Sequence, residues 1–144
     1  MDIFAMIRKM EETDIDRVLE IWLDTNVRTH NFIPEQYWKD NFNTVKEMLP
    51  QAEVYVYEDD RCSEIQGFIG IMDNYIEGIF VWSESQSKGI GKKLLDFVKT
   101  IRKQLHLSVY QKNERAVEFY QRENFKVQDG RIDESTGEEE YFMV

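Results

Sequence analysis

The sequence predicts a single α+β domain, and three observations support this fold class. The 144 residues are enough for one domain that buries most of its apolar surface, and they leave no room for a second. Apolar residues recur with the period of a helix in some segments and alternate as in a strand in others. In chain order these segments read β-α-α-β-β-β-α-β-α-β-β.

The N-terminal half contains one predicted strand, two helices and a hairpin. Ile15, Leu19 and Trp22 recur at helical spacing, so they predict a buried stripe on the first helix. Pro34 suits the first turn of the second helix, and Pro50 ends it. The predicted ranges are 6–10 for the strand, 13–27 and 34–49 for the helices, and 54–57 and 65–71 for the hairpin strands.

The C-terminal half is predicted to alternate strands and helices. Gly78 lies inside the first of these strands, where a β-bulge or the close approach of a ligand is expected. Leu94, Val98 and Ile101 share one face of the next helix, and Asn113 is a good N-cap for the last helix. The predicted ranges are 75–81, 105–110, 125–128 and 139–144 for strands, and 90–101 and 113–122 for helices.

The turn between strand 75–81 and the helix after it has the composition of an anion-binding loop. Residues 86–91 read Gln-Ser-Lys-Gly-Ile-Gly, and the two glycines let the backbone approach an anion while the first-turn N–H groups point at it. Three lysines lie at the positive end of the helix dipole, where Asp or Glu would be usual: Lys88, Lys92 and Lys93. An ordinary strand-to-helix turn with solvated lysines is the alternative for a lone G-x-G.

Two motifs together indicate a family. A P-loop sequence is absent, and Leu94 stands where a Rossmann loop would need its third glycine. The remaining pattern, Q-x-x-G-x-G after a strand, resembles the pantetheine and pyrophosphate loop of the GNAT superfamily of N-acetyltransferases. Residues 113–120 (Asn-Glu-Arg-Ala-Val-Glu-Phe-Tyr), with Asn124 and Phe125, resemble the N-x-x-A-x-x-F-Y…G/N-F pattern of that family's last helix. The resemblance covers residues 6–144 and is closest to small bacterial-type members.

The resemblance implies a fold and a coenzyme site. The fold would be a mixed, mostly antiparallel sheet with helices on both faces, in which strands 75–81 and 105–110 splay apart and admit the pantetheine arm of acetyl-CoA. No metal is implied. The sequence departs from the pattern at Asn124, where glycine is usual, and it lacks the proline common before the loop. The implied coenzyme-binding residues are Phe80, Val81, Gln86, Ser87, Lys88, Gly89, Ile90, Gly91, Lys92, Asn113, Ala116 and Phe119.

The resemblance also suggests groups for two steps of acetyl transfer. Tyr120 matches the tyrosine that the family aims at the coenzyme sulfur, and its phenol can donate near neutral pH because its ordinary pKa of about 10, above the roughly 8.5 of a thiol, keeps it protonated there. A core aromatic is the alternative for Tyr120. The oxyanion would be stabilised by a backbone N–H at the bulged end of strand 75–81, among Phe80, Val81 and Trp82, and the sequence does not decide which.

Two residues compete for the role of base. Glu77 lies in strand 75–81, where several related enzymes hold a base or an acceptor-binding carboxylate, and an outward strand carboxylate is the alternative. His30 follows the first predicted helix and has an ordinary pKa suited to base catalysis, although a lone histidine is more often structural. Water is the third possibility.

The amino-acid composition limits the classes of molecule that the protein is expected to bind. A formal net charge of −10 argues against nucleic acid and suits a cationic acceptor, although acidity also simply favours solubility. The single cysteine, Cys62, excludes an internal disulfide and has no context that would make it a nucleophile, so direct transfer is expected. No apolar run has the roughly 20 residues of a membrane span, so no membrane partner and a cytoplasmic location are expected.

The sequence therefore predicts an acetyl-CoA-dependent N-acetyltransferase acting on a primary amine of a small molecule, peptide or protein. The alternative is a non-catalytic module of the same fold that binds acyl-CoA or another protein, and the presence of Tyr120 favours the enzyme. The aromatic second helix, with Tyr37, Trp38 and Phe42, suits core, an acceptor wall or the face of a homodimer equally well.

Overall fold

A computed structural model describes residues 5–59, 61 and 63–144, so Cys62 lies outside the described residues. Its elements follow the predicted order. None of the helices in the described ranges is long and apolar enough to cross a membrane. The elements are β1 (Ala5–Lys9), α1 (Ile15–Thr29), α2 (Glu35–Met48), β2 (Glu53–Asp59), β3 (Glu64–Met72), β4 (Tyr75–Val81), α3 (Ile90–Ile101), β5 (His106–Tyr110), α4 (Glu114–Arg122), β6 (Val127–Ile132) and β7 (Glu139–Met143).

The seven strands form one mixed sheet in the order β1-β2-β3-β4-β5-β7-β6. Neighbouring strands are antiparallel except β4 and β5, which run parallel. The β4–β5 pairing covers only Tyr75 with His106 and Ile76 with Leu107. Beyond these two pairs the strands part, which confirms the predicted splay and opens a cleft in the middle of the sheet.

Helices cover both faces of the sheet, and each face has its own apolar core. Leu94 and Val98 of α3 are fully buried against one face, together with Tyr120 of α4. Val18 and Ile21 of α1 are fully buried against the other face. Each such side chain contributes roughly 1.5–3 kcal/mol through burial, so the helical stripes hold the layers together.

The aromatic residues of α2 divide between core and surface. Trp38 is buried and packs its ring against Trp22, while Phe42 packs against the α1-side core. Tyr37 is half-buried, and its hydroxyl lies 2.9 Å from the Ser135 hydroxyl in the β6–β7 turn. The core interpretation of Trp38 and Phe42 is therefore confirmed, and Tyr37 links α2 to the far end of the sheet.

The β-bulge of β4 lies at Glu77, and not at the C-terminal end of the strand, where one was predicted. The register with β3 shifts between Gly70 and Ile71, which leaves Glu77 as the extra residue beside Gly78. A Cβ on Gly78 would lie 2.5 Å from the Phe80 ring, so any larger residue there would force that ring to move. The bulge expected at Gly78 is confirmed, but a bulge among Phe80, Val81 and Trp82 is wrong, because the register is regular from Ile79 to Val81.

The sixth strand begins later than predicted. β6 spans Val127–Ile132, whereas the apolar residue Phe125 suggested a strand over 125–128. Phe125 instead belongs to the end of α4, and its buried ring completes the core. All six residues of β6 are exposed, so it lacks the alternation that marks a strand in sequence.

Candidate active site

A cavity of about 490 Å³ occupies the opening between β4 and β5. Its walls come from four parts of the chain: the C-terminal end of α1, the second half of β4, the loop and first turn of α3, and one face of α4. The lining residues are Thr25, Thr29, His30, Ile79, Phe80, Val81, Gln86, Ser87, Gly89, Ile90, Gly91, Lys92, Asn113, Arg115, Ala116, Phe119, Tyr120, Arg122 and Glu123. The sequence-predicted residues therefore meet here, with the exceptions of Lys88 and Glu77.

The loop before α3 presents free backbone donors to this cavity. Ser87 and Gly89 have φ of 66° and 80°, and Gly89 is the N-cap of α3 without a side-chain capping bond. The first N–H bonded within the helix is that of Lys93, to the Gly89 carbonyl at 3.0 Å. Within the described residues the N–H groups of 90–92 have no acceptor, so they remain available to an anion.

Gly91 supplies clearance along the cavity wall. An added Cβ would lie 3.8 Å from Ile79 and from Phe119, and 3.9 Å from Val81. These three side chains line the cavity, so the missing side chain of Gly91 leaves an apolar passage between β4 and α4. Such a passage fits the narrow, largely apolar pantetheine arm of acetyl-CoA.

The lysines of the loop are arranged differently from the prediction. Lys88 is exposed and does not line the cavity, and Lys93 lies 5.7 Å from the centre of the Tyr57 ring, so neither forms its wall. Lys92 lines the cavity but forms ion pairs with Glu123 at 3.0 Å and Asp96 at 3.3 Å. The predicted positive potential of three lysines is thus partly neutralised by α3 and α4 themselves.

Two arginines supply positive charge that sequence reasoning missed. Arg115 and Arg122 project from α4 into the cavity lining. Arg115 donates from Nη2 to the Ser87 hydroxyl at 2.9 Å and from Nη1 to Gln86 Oε1 at 3.4 Å. A signal was present, because Arg115 lies within the second motif at the N-terminal end of a helix, where a cation is unusual.

The end of α4 fixes the position of Tyr120. Asn124 has φ of 76°, its N–H donates to Gln121 O at 3.1 Å, and the Phe125 N–H donates to Tyr120 O at 2.9 Å. These two bonds form a Schellman motif, which normally brings its flanking side chains together. Here the Phe125 ring meets the Tyr120 ring edge-on at 5.7 Å. Asparagine tolerates this left-handed backbone, so it can stand where the family pattern has glycine.

The Tyr120 side chain is buried yet reaches the cavity. No hydrogen bond joins its hydroxyl to another residue among those that the structure describes. Burial raises the pKa of Tyr120 above its ordinary value, so the phenol stays protonated at neutral pH. The hydroxyl is therefore a hydrogen-bond donor to a group that enters the cavity.

The edge of β4 that faces the cavity presents backbone groups of Val81 to it. The Trp82 N–H donates to Gln66 O of β3 at 2.8 Å, so it is already used. Because successive residues of a strand point their N–H groups to opposite edges, the Val81 N–H faces the cavity and that of Phe80 faces β3. The Val81 carbonyl points to the same edge as the Val81 N–H, because it accepts a hydrogen bond from Gln86 Nε2 at 3.2 Å and not from β3.

Glu77 lies at the bulge, on the sheet face opposite to its buried neighbour Ile76. It is exposed, does not line the cavity and has no ion pair within the described ranges. Partial desolvation beside the sheet raises the pKa of Glu77. The carboxylate thus stands next to the point where β4 and β5 part, on the side away from α3 and α4.

His30 is enclosed between α1 and α4. Its Nδ1 lies 3.0 Å from Asn26 Oδ1 and its Nε2 lies 3.3 Å from Asn113 Nδ2. Burial lowers the pKa of His30 to about 4. Asn113 also caps α4, as predicted, by accepting from the Ala116 N–H at 3.3 Å. Both ring nitrogens of His30 are therefore occupied by amide side chains.

Comparison with known proteins places this cleft in a family. A model of the acetyltransferase (GNAT) domain matches residues 50–127. The chain belongs to the GNAT acetyltransferase family. The peptidyl-lysine N-acetyltransferase YiaC of Escherichia coli K12 is 35% identical to this GNAT chain over 126 residues, which is 86% of the chain and 85% of YiaC. The peptidyl-lysine N-acetyltransferase YjaB of Salmonella typhimurium is 28% identical over 84% of the chain and 83% of YjaB.

Solved structures show the same GNAT fold. The solution structure of apo YjaB from Escherichia coli superposes with a TM-score of 0.86 at 22% identity, covering 98% of this chain and 97% of YjaB. The PaiA N-acetyltransferase of Thermoplasma acidophilum, solved with coenzyme A, gives 0.81 at 25% identity and 96% coverage of each chain. The prediction of an N-acetyltransferase that uses acetyl-CoA as cosubstrate is thereby confirmed.

Proposed function

We propose that this GNAT enzyme transfers the acetyl group of acetyl-CoA to the side-chain amine of lysine in peptides or proteins. The observation that carries the proposal is the cleft between β4 and β5, which opens beside the rings of Tyr75, His106 and Phe142 and the carboxylates of Glu77 and Glu140. The curated relatives YiaC and YjaB, named as peptidyl-lysine N-acetyltransferases, support the same acceptor class. The cytoplasmic location and the homodimer stay predictions.

The coenzyme is held mainly by backbone groups. The free N–H groups of residues 90–92 and the guanidinium of Arg115 suit the pyrophosphate, and the passage beside Gly91 suits the pantetheine arm. Asn113, Ala116 and Phe119 complete that wall from α4. The coenzyme supplies a thioester, whose carbonyl carbon is the electrophile.

The Val81 N–H stabilises the oxyanion that develops as the amine attacks. It faces the cavity because the neighbouring Trp82 N–H is used by β3. A donor fixed in a strand needs no reorganisation during the reaction, which is why such groups lower the barrier efficiently. This direction supports Val81 for the proposed role among the three residues that the sequence left open.

Tyr120 protonates the departing thiolate. Its hydroxyl has no competing partner among the described residues, and its raised pKa keeps the proton in place until a thiolate forms. Because the Schellman motif and the Phe125 ring fix Tyr120, the proton donor is held in position before the coenzyme arrives.

Glu77 accepts the proton of the attacking amine through a water molecule, since it stands outside the cavity at the bulge. A free lysine amine has a pKa near 10.4, so only a small fraction of it is neutral at pH 7. By accepting the proton that the ammonium releases, the carboxylate supplies the neutral amine that attacks the thioester. His30 is unsuited to this task, because its pKa is about 4 and Asn113 occupies its Nε2.

The open face of β4, β5 and β7 suits a cationic acceptor. The rings of Tyr75, His106 and Phe142 lie in series, with centroids 5.3 and 5.5 Å apart. Glu140 lies on the same face, and burial and the charge of Asp133 raise its pKa. The Arg131 guanidinium already lies over the Phe142 ring, 4.2 Å from its centre, so a lysine of the acceptor would meet Tyr75, His106 and Glu140.

The proposal is tested with four acceptors and acetyl-CoA. These are a peptide with a blocked N-terminus and one lysine, the same peptide with arginine in its place, a peptide with a free N-terminus and no lysine, and a polyamine. Mass spectrometry is expected to find one acetyl group on the lysine of the first peptide and far slower transfer to the others. Preference for the free N-terminus or the polyamine would contradict the acceptor class while leaving the acetyltransferase activity intact.

A further inference from the structure

Four hydrogen bonds run in sequence from α1 to α4 across the mouth of the cleft. Asn26 Nδ2 donates to Trp22 O at 2.9 Å, and Asn26 Oδ1 lies 3.0 Å from His30 Nδ1. His30 Nε2 lies 3.3 Å from Asn113 Nδ2, and Asn113 Oδ1 accepts from the Ala116 N–H at 3.3 Å. We refer to Asn26, His30 and Asn113 as the amide–imidazole bridge.

The two ends of the bridge fix the direction of every bond in it. The Trp22 carbonyl can only accept, so Asn26 turns its NH₂ to it and its oxygen to His30. The Ala116 N–H can only donate, so Asn113 turns its oxygen to it and its NH₂ to His30. His30 must therefore carry its proton on Nδ1 and present a bare Nε2 to Asn113.

The surroundings hold the imidazole in this state. The His30 ring stacks on Trp38 at 5.5 Å and meets Tyr110 edge-on at 5.0 Å and Phe32 edge-on at 5.6 Å. Two charged groups contact these rings: Asp133 accepts from the Tyr110 hydroxyl at 2.6 Å, and the Lys112 ammonium lies 5.5 Å from the Phe32 ring centre. Neither contacts the imidazole itself.

We propose that His30 is a positioning residue that ties the acceptor side of the cleft, at the end of α1, to the first turn of α4. Tyr120 lies seven residues after Asn113 on the same helix, about two turns or 10 Å away. Any shift at Asn113 is thus carried along α4 to the hydroxyl that faces the coenzyme sulfur. The inference rests on the proposed role of Tyr120, but the bond directions of the bridge do not.

A doubly protonated imidazole is incompatible with the bridge. It would place an N–H on Nε2 opposite the NH₂ of Asn113, so two donors would face each other. Rotating the Asn113 amide to relieve this contact would remove the cap from the Ala116 N–H. The bridge therefore requires neutral His30, and this requirement is directly measurable.

The first measurement is the imidazole tautomer. The chain contains two histidines, so ¹⁵N-labelled protein gives two sets of ring signals, and His106→Gln identifies those of His30. At neutral pH we expect His30 to show a protonated Nδ1 and an unprotonated Nε2. A protonated Nε2, or averaging between the two tautomers, would overturn the bridge whether or not the lysine acceptor is correct.

The second measurement reverses one bond of the bridge. Asn113→Asp keeps a good N-cap but offers only acceptors, so His30 should gain a proton on Nε2 and its pKa should rise by two units or more. Loss of the unprotonated Nε2 signal at neutral pH is expected in this variant. An unchanged tautomer and pKa in folded Asn113→Asp would overturn the inference.

The third measurement separates positioning from folding. His30→Phe keeps an aromatic ring and removes both bonds, whereas His30→Gln keeps one donor and one acceptor. We expect His30→Phe to lower kcat about 10- to 100-fold with a much smaller change in acetyl-CoA affinity, and His30→Gln to recover part of the loss. Equal kcat in His30→Phe and the parent enzyme, measured with any accepted amine, would contradict a positioning role.

Discussion

The coenzyme side and the acceptor side of the cleft are built in different ways. The coenzyme side uses the backbone of one short segment, 86–92, and one face of the single helix α4. The acceptor side uses side chains that are far apart in the chain, from His30 at the end of α1 to Glu77 at the bulge and Phe142 in β7. In the proposed mechanism the first side binds a cosubstrate of fixed shape, and the second binds the amine acceptor.

The difference also appears in what holds each side in place. Gly89 and Gly91 are required by backbone geometry and clearance, so substitution there acts on the coenzyme directly. On the acceptor side, contacts between side chains fix the geometry, as in the amide–imidazole bridge and in the pair formed by Tyr37 and Ser135. Substitutions there should change turnover more than coenzyme affinity.

The largest effect is expected from Gly91→Val. The new side chain would project between Ile79, Val81 and Phe119 and fill the passage for the pantetheine arm. We expect acetyl-CoA affinity to fall by at least about 100-fold, measured by calorimetry, while the fold is retained.

Gly89 and Gly137 provide a matched pair for that experiment. Both have positive φ, 80° and 77°, and a Cβ on either would meet nothing within 4 Å. Replacement by alanine costs each about 1–2 kcal/mol of backbone strain, but only Gly89 belongs to the loop. Coenzyme affinity should therefore fall in Gly89→Ala and stay unchanged in Gly137→Ala. Equal affinity in both would remove the loop from the coenzyme site.

Tyr120→Phe should have the next largest effect. It keeps the ring against Phe125 and removes only the proton, so single-turnover rates should fall by something like 10²- to 10⁴-fold with unchanged acetyl-CoA affinity. Tyr141→Phe, in the same core, is the control and should retain the parent rate. A parent-like single-turnover rate in Tyr120→Phe would return Tyr120 to a purely structural role.

Glu77→Gln should lower kcat by about tenfold or more without weakening coenzyme binding, because its proposed role concerns the amine. The pKa of Glu77 is raised, so the acidic limb of the kcat/KM profile should lie above the ordinary carboxyl pKa and disappear in the variant. An identical pH profile in parent and variant would leave water as the base.

The raised pKa of Glu77 also predicts that the stability of the protein depends on pH. A carboxyl whose folded pKa is raised contributes stability that is present at low pH and lost as the pH rises through that value. Glu77→Gln removes the desolvated charge, so its melting temperature should exceed that of the parent at pH 7 and approach it near pH 4.

The smallest effect is expected at Asn124, which lies outside the cleft. Its φ of 76° suits asparagine and glycine, so Asn124→Gly should change stability by less than about 0.5 kcal/mol. Asn124→Ala should destabilise the fold by about 1 kcal/mol, because a left-handed backbone disfavours alanine. Thermal melts of the two variants check this difference, and a parent-like melt for Asn124→Ala would contradict the assigned end of α4.

The fold and the coenzyme side were largely predictable because their signals are local. Periodic stripes such as Leu94 and Val98 follow from burial of one helix face, and Asn113 caps α4 as its residue type suggests. The strand β6 was misplaced because all its residues are exposed, and Phe125 is apolar for a different reason, the packing against Tyr120.

The acceptor side was less predictable because its contacts join distant segments. No sequence pattern shows that His30 meets Asn113, 83 residues away, or that this contact leaves the imidazole without a free nitrogen. The direction of the Val81 N–H likewise depends on the register of β3 against β4. Lys88 lies in the loop and Lys93 in the first turn of α3, yet neither lines the cavity, because Lys88 is exposed and Lys93 lies over the Tyr57 ring.

The two-residue pairing of β4 with β5 has a consequence for the lifetime of the protein. A sheet interrupted at its centre keeps unpaired peptide groups until a ligand lies between its halves. Bound acetyl-CoA should therefore fill the gap between β4 and β5. At a concentration of roughly 100 times its Kd it should add about 2.7 kcal/mol to the free energy of unfolding. Resistance of the purified enzyme to proteolysis should therefore rise with the concentration of acetyl-CoA.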